Sequence, residues 1–412
     1  MFTAPCNPAV PSSVRRLVSK SPQAPTLPRV GLFLLGGEFG SDFANVEELN
    51  KQTSNMKRLL LLSLLLGALT HPLHSQSTTD NTPAVVFTTE GLWNTTSGVA
   101  NWVNLLGVDY KFALWRGGHL SLDLLAIANL RAEQGKGGVA DHLHIFSAIE
   151  DSPSTLALMA LGVGQELLEG RLMVWGGVRN LSKDYFTTPW NSIFTSAMNG
   201  LFPTIANNFV VADPPAAALS LHTEWQPTKG LNIKASLYDG VASDKWGDIF
   251  CLNIKKDGLF AIGEVSYHGE EESYVGGYHI GGTFGFAPLA STLEEGSHHK
   301  SRRASMWALV EQPVYIWEGG SQLRLIAQGS WAPASHCDLY GELGVVCSNL
   351  FVVDDYIGCQ FSRTICAAGN ETHLEFTYSL PWSLGTLQPA LHRVWTSHSS
   401  TTLGVMKVII EI

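Results

Sequence analysis

Residues 142–144 read His-Leu-His. On a β-strand, where alternate side chains share a face, His142 and His144 would point the same way, as a two-histidine metal site requires. A second pair, His298 and His299 in "SHHK" (297–300), and the acidic run "EEES" (270–273) are further groups with metal-binding chemistry. Both runs read better as solvated loop, and the histidine pairs as ordinary wall or loop side chains, so no metal and no cofactor is expected. Nucleophile chemistry is as thin: the chain has no G-x-S-x-G elbow, no phosphate loop and no H-E-x-x-H. The pairing that a hydrolase at a lipid surface could use is His392 with Ser397, Ser399 or Ser400. No catalytic residue is expected beyond that test case.

Cysteine chemistry is more promising. Cys337 and Cys347 flank "DLYGELGVV", and Cys359 and Cys366 flank "QFSRTI". In an exported chain, four close cysteines read as disulfides that pin one long surface excursion over 337–366. Pairing 337 with 347 and 359 with 366 is the local choice, and the two crossed pairings stay open. Zinc is the rival, but the spacings are not of the C-x2-C kind. Cys251 stands alone and reads as a small buried apolar side chain.

Export itself is written at residues 56–77, "MKRLLLLSLLLGALTHPLHSQS". Lys57 and Arg58 precede an apolar run, Leu59–Leu69, which is too short to span a bilayer as a helix and gives way to small and polar residues. That layout is a secretory signal over 56–75 with a cut after Ser75, and it makes Met56 the expected start and 1–55 an over-long leader. Removing 1–75 takes seven of 26 basic and four of 36 acidic residues, leaving 19 and 32, a net charge of −13. Such a chain repels phosphate backbones, so nucleic acid is not an expected partner.

Which elements would position these groups? Past the signal the dominant pattern is alternation. In "HLSLDLLAI" (119–127), Leu120, Leu122, Leu124 and Ala126 oppose His119, Ser121 and Asp123. In "LSLHTEW" (219–225), Leu219, Leu221 and Trp225 oppose Ser220, His222 and Glu224, and "LNIKASLYDG" (231–240) sets Leu231, Ile233, Ala235 and Leu237 against Asn232, Lys234 and Ser236. Similar stretches lie at 105–114, 142–149, 155–164, 171–180, 259–268, 278–286, 306–315, 323–331, 374–380 and 403–412. Period two means strand. Turn signals such as "RGG", "QPTKG" and "KKDG" separate them, and "NSIFTSAMNGLF" (191–202) reads as a short helical turn inside a loop. Apolar faces often end in aromatics (Trp115, Trp225, Tyr238, Trp331), as the girdles of a membrane barrel do. At roughly ten residues per strand plus turns, 76–412 would hold about 16 strands, with a range of 14–18. The expected fold is therefore all-β, a transmembrane antiparallel up-and-down β-barrel wide enough for a water-filled pore.

Four blocks carry a family likeness. "RLMVWGGVRNLSKDYFTTPWNSIFTSAMNGLFPT" (171–204) ends a strand in Gly and a polar turn, then brings Asp184, Tyr185 and Phe186, a Phe-rich stretch, Gly200 and Pro203. "PPAAALSLHTEWQPTKGLNIKASLYDG" (214–240) and "GLFAIGEVSYHGEEESYVGGYHIGGTF" (258–284) follow, and "ETHLEFTYSLPWSLGTLQPALHRV" (371–394) closes the series. In this order the blocks resemble the carbohydrate-selective porins of the OprB family, over most of 84–412. Two features depart from the pattern: the chain ends in Ile412 rather than an aromatic, and "TLEEGSHHKSRRAS" (292–305) and the cysteine region look private to it.

The resemblance implies an outer-membrane porin that passes carbohydrates or other small hydrophilic solutes through the outer membrane of a Gram-negative-type bacterium, as a homotrimer or a monomer. Such a pore needs a loop folded into it, with hydrogen-bonding groups and aromatic faces for sugar rings. The stretch 179–208 is the expected loop, and Arg179, Lys183, Asp184, Tyr185, Trp190, Asn191, Asn207 and Asn208 the expected pore-lining groups. Two other readings are a barrel enzyme acting on lipids, through His392, and a β-rich secreted surface protein.

Overall fold

The structure, a computed structural model, describes residues 83–133, 138–140, 143–144, 146–147, 150, 152–269, 276–288, 300–333 and 335–412. The leader, the export signal, His142, "EEES", His298 and His299 lie outside the described residues. Among those described there are sixteen strands. The first eight are β1 (Ala84–Asn94), β2 (Ala100–Trp115), β3 (Gly118–Asn129), β4 (Thr155–Leu167), β5 (Leu172–Arg179), β6 (Ala218–Thr228), β7 (Leu231–Asp239) and β8 (Leu259–His268). The rest are β9 (Gly277–Pro288), β10 (Lys300–Ile316), β11 (Gln322–Trp331), β12 (Cys337–Ser348), β13 (Tyr356–Cys366), β14 (Gly369–Trp382), β15 (Gly385–Thr396) and β16 (Ser400–Glu411).

Each strand pairs antiparallel with its neighbour in sequence, and β1 closes on β16, with Val86 opposite Glu411 and Asn94 opposite Leu403. Closure leaves no edge of unpaired N–H and C=O groups, which hydrocarbon would penalise by several kcal/mol per group. Among the described residues one rim holds short turns alone, and the other mixes the longest connections with short turns such as 95–99, 367–368 and 397–399. Turns 116–117, 168–171, 229–230, 317–321, 349–355 and 383–384 share the rim that holds Ala84 and Glu411. The long connections 130–154, 180–217 and 240–258 share the other.

Alternation along the strands sets what faces where. Leu221 is 53% exposed, while its neighbour His222 is fully buried. On β12, Leu339, Leu343 and Val345 are exposed and Tyr340, Glu342, Val346 and Ser348 are buried; on β14, Phe376 is exposed and Glu371, His373, Glu375 and Thr377 are buried. A soluble core would invert this order. Apolar outside and polar inside is the arrangement of a barrel solvated by lipid. Exposed aromatics mark both rims: Trp115, Trp225, Tyr267, Tyr315 and Trp382 near the short turns, and Trp93, Trp102, Trp331 and Trp395 near the long connections. Their rings belong where one side is apolar and the other wet.

Four expectations need correction. The cysteine stretch 337–366 is not a surface excursion but the barrel strands β12 and β13. Neither local pair forms: Cys337 is bonded to Cys366, because the register sets those two opposite each other, and Cys347 and Cys359 are free on the outer face, opposite Ile357 and Val345. Cys251 is half-buried in the connection after β7. Finally, within the expected strand 142–149 the described residues 143–144 and 146–147 are not strand but part of the long β3–β4 connection.

Two measurements check this frame. Leu343, 68% exposed at the middle of β12, should tolerate other apolar residues, whereas Leu343→Arg should cost about 2–4 kcal/mol of barrel stability in lipid vesicles. Unchanged urea midpoints would place Leu343 away from hydrocarbon. Alkylation of the folded protein without reductant should label Cys347 and Cys359 and leave a Cys337–Cys366 cross-linked peptide in the mass map.

Candidate functional site

The connection from β5 to β6, residues 180–217, turns into the barrel instead of out of it. Its sequence explains why. Leu181, Tyr185, Phe186, Met198, Leu201, Phe202, Ile205 and Phe209 are all buried, packed with Tyr238, Phe260, Ile262, Trp307 and Tyr340 of the inner wall. Each apolar side chain removed from water contributes about 1.5–3 kcal/mol. The wall makes room with glycine: a Cβ on Gly358 would lie 2.7 Å from the Phe194 ring, and one on Gly285 would lie 2.7 Å from Phe209. Within the loop, the expected helical turn over 191–202 takes the form of two 3-10 turns (Asn191–Ile193, Ala197–Asn199), and a further helical turn (Pro203–Ala206) follows.

Inward polar groups from distant strands then fix its course. Glu311 on β10 accepts from the Thr188 hydroxyl and from the backbone N–H groups of Trp190 (3.1 Å) and Asn191 (3.0 Å). Glu375 on β14 accepts from Thr195 N (2.6 Å), Thr195 Oγ1 (2.9 Å), Ser196 N (3.4 Å) and Gln360 Nε2 (2.6 Å). Gln388 on β15 donates to the Ile193 carbonyl, and Asn199 donates to Gln360 on β13 (2.7 Å). At the far end the Thr204 hydroxyl meets Ser330 (2.6 Å), and Asn208 bonds to the backbone at His336 and Cys337.

The expected pore-lining residues divide into two groups. Tyr185, Asn191 and Asn208 are buried and serve the loop itself, which corrects their expected role. Tyr185 bonds to Ser236 (2.7 Å), which also meets His222 Nδ1 (2.7 Å), while Asn191 Nδ2 donates to the Phe186 (2.8 Å) and Asn199 (3.0 Å) carbonyls. Arg179 grips Asp184 with Nε and Nη2 (2.6 and 2.5 Å) beside the Trp175 ring, and Lys234 donates to the Asp184 carbonyl (2.8 Å). Lys183 reaches the opposite wall, to Asp109 (2.5 Å) and Asp123 (2.6 Å). Burial opposes its charge, and the two carboxylates outweigh that, so its pKa is raised. Trp190 lies half-buried under the Arg324 guanidinium (4.1 Å) and against Tyr356; Asn207, also half-buried, meets His144 Nδ1 (3.3 Å). In the loop's interior, burial pushes the Asp213 carboxyl up to about 6, partly offset by the Ser182 hydroxyl.

A closed barrel with a loop across its lumen is a porin's geometry, and the comparisons agree. Residues 110–346 match the sequence profile of the carbohydrate-selective porin, OprB family. The chain belongs to this family. It is an outer-membrane porin for the passive diffusion of sugars. The high-pH structure of Pseudomonas putida OprB superposes with a TM-score of 0.65 at 13% identity, covering 80% of this chain and 94% of that one. The low-pH structure gives 0.55 at 15%, covering 80% and 92%, and an engineered Rh. blastica porin gives 0.52 at 8%, covering 80% and 99%. At such identities these likenesses speak for the fold. No curated protein matches by sequence.

The porin has a second inward segment that the sequence did not suggest. In the β3–β4 connection, Val139, Ala140 and Phe146 pack with Leu92, Val103, Ile127, Val394 and Leu403 of the wall. Leu143 N donates to Glu371 (2.7 Å), and the Phe146 carbonyl accepts from Ala197 N (2.9 Å), so this segment braces the β5–β6 loop. Phe146 lies edge-on to His392 (4.2 Å between centroids). The alternative of a hydrolase pair gains no support from Ser399 or Ser400: His392 points into the lumen to Thr195 and His373, while those serines bond to Thr396 and Arg393 at the rim.

Replacing Glu311 with Ala should strand three donors, each buried unsatisfied donor costing about 1–3 kcal/mol. Loosening of the loop should raise single-channel conductance and its noise while the barrel stays folded. An unaltered current trace would show that Glu311 does not hold the loop.

Proposed function

We propose that solutes cross on the β2–β4 side of the lumen, past Asp109, Lys111, Glu166 and Lys183, because the loop fills the β10–β15 side. The observation that carries this reading is the exposure of charged pairs there. Lys111 bonds to Glu166 at 3.3 Å with side chains 54% and 43% exposed, and Lys183 bridges from the loop to Asp109 with 40% and 51%. Opposed charges bonded to one another leave oxygens and N–H groups for a polyol while holding no strong net attraction for an ion. Arg179, at the end of β5, and its partner Asp184 in the loop stand beside this path, while Trp190 lies against Arg324 and Tyr356 on the β11–β13 side.

The short turns face the periplasm and the long connections face outward, as in other barrels of this kind. A signal over 56–75 would bring the chain to the outer membrane of a Gram-negative-type bacterium. The protein contributes passage rather than chemistry.

Liposome swelling supplies the test. Vesicles holding the porin should swell in isotonic neutral monosaccharide, and a failure to swell would reject the passage. Lys183→Ala leaves Asp109 and Asp123 uncompensated. Charges about 4 Å apart interact by roughly 1–4 kcal/mol between bulk water and a protein surface. Cation over anion permeability, read from reversal potentials in a salt gradient, should therefore rise several-fold. An unchanged ratio would move the path away from Lys183.

A further inference from the structure

We propose that His373, Glu375 and His392 form a divalent transition-metal site, of the kind zinc fills, that ties the inward loop to the barrel wall. Register alone brings the three together. His373 and Glu375 are two apart on β14 and share its inward face, and Glu375 stands opposite His392 on β15. Their donor atoms converge: His373 Nε2 lies 2.9 Å from His392 Nδ1, His392 Nδ1 lies 3.7 Å from Glu375 Oε2, and all three lie within 4.8 Å of one another. Ligand atoms about 2.0–2.2 Å from a tetrahedral zinc are roughly 3.3 Å apart. The two rings now meet nitrogen to nitrogen, with 7° between their planes and 5.1 Å between centroids, so an ion would open this contact by a few tenths of an ångström and turn the rings until both lone pairs face it. Two imidazoles and one carboxylate suit a borderline-soft ion, whereas calcium and magnesium take oxygen donors.

Charge points the same way. Glu375 is fully buried, and its hydrogen-bond donors, Thr195, Ser196 and Gln360, are neutral. Among the described residues no Lys or Arg reaches it, and His392 is the one basic side chain paired with it within 4 Å. A buried carboxylate in that setting must either hold a proton or meet a cation. Around the three ligands the structure already has an outer layer. The Thr195 hydroxyl stands 2.9 Å from both His392 Nε2 and Glu375 Oε1, the position from which a second layer orients a ligand ring. Thr195 belongs to the inward loop, so an ion held here would fix that loop through Thr195 and Ser196.

All three ligands are buried, so the ion would enter as the barrel folds. The test is to refold the full chain in detergent with zinc or with cobalt(II), remove unbound metal by desalting, and count metal per chain. One ion per chain is expected, with the visible absorption of tetrahedral cobalt. His392→Ala and Glu375→Gln should each lower the count at least tenfold, while a His298→Ala/His299→Ala variant keeps it. Heat-modifiable gel mobility shows which variants fold, and Glu375→Gln, which keeps the side-chain shape and the two bonds from Thr195 to Oε1, stands in if His392→Ala does not. A wild-type barrel that refolds metal-free, or folded variants with an unchanged count, would overturn the site and leave a neutral histidine–histidine hydrogen bond in its place.

Discussion

Everything in this molecule depends on the solvent outside the barrel being hydrocarbon. It forces the sheet to close, because an open edge would leave a row of peptide groups without partners. It turns Leu221, Leu343 and Phe376 outward and sends His222, Glu342 and Glu375 in. Once polar side chains are inside, they face a volume that sixteen strands make too wide to fill with themselves. The β5–β6 and β3–β4 connections occupy part of that volume, and their chemistry follows from what the wall offers.

Two kinds of force hold the β5–β6 loop, and their sizes assign them different work. Burying a Phe or Leu side chain contributes about 1.5–3 kcal/mol, against roughly 1 kcal/mol net for an ordinary hydrogen bond. The cluster around Phe186, Phe202 and Trp307 therefore supplies most of the drive inward. Apolar contact has no preferred direction, however. Glu311 and Glu375 do, since each accepts from backbone N–H groups at fixed places in the chain. Position comes from the carboxylates.

Strand pattern carried most of the fold. Period-two runs such as 219–225 and 231–240 lie within β6 and β7, and an expectation of about sixteen strands matches the closed barrel. β12 and β13 are hidden in the sequence because four close cysteines fit a stapled loop as well as they fit paired strands. Strand register cannot be read from spacing, and it is register that sets Cys337 against Cys366. The inward loop was legible as a segment, but not the share of work within it: Asn191 and Asn208 look like solute-binding amides until their partners prove to be backbone carbonyls and N–H groups. Glycine adds what pattern does not show: Gly285 and Gly358 are the hollows that Phe209 and Phe194 fill.

Those glycines and carboxylates also bear on why the lumen stays open on one side. An inward loop could collapse across the whole pore, since apolar burial alone favours maximal contact. Here the hollows and the carboxylate anchors lie on β9, β10, β13 and β14, and Gln388 adds β15, so contact is greatest against one arc of wall. The opposite arc, β2 to β4, presents Asp109, Lys111 and Glu166, whose charges resist being stripped of water. Lys183 is the loop's one described contact with Asp109 and Asp123 there, and it makes that contact as a charge. A wet passage follows from this asymmetry: one wall rewards dry packing and the other penalises it.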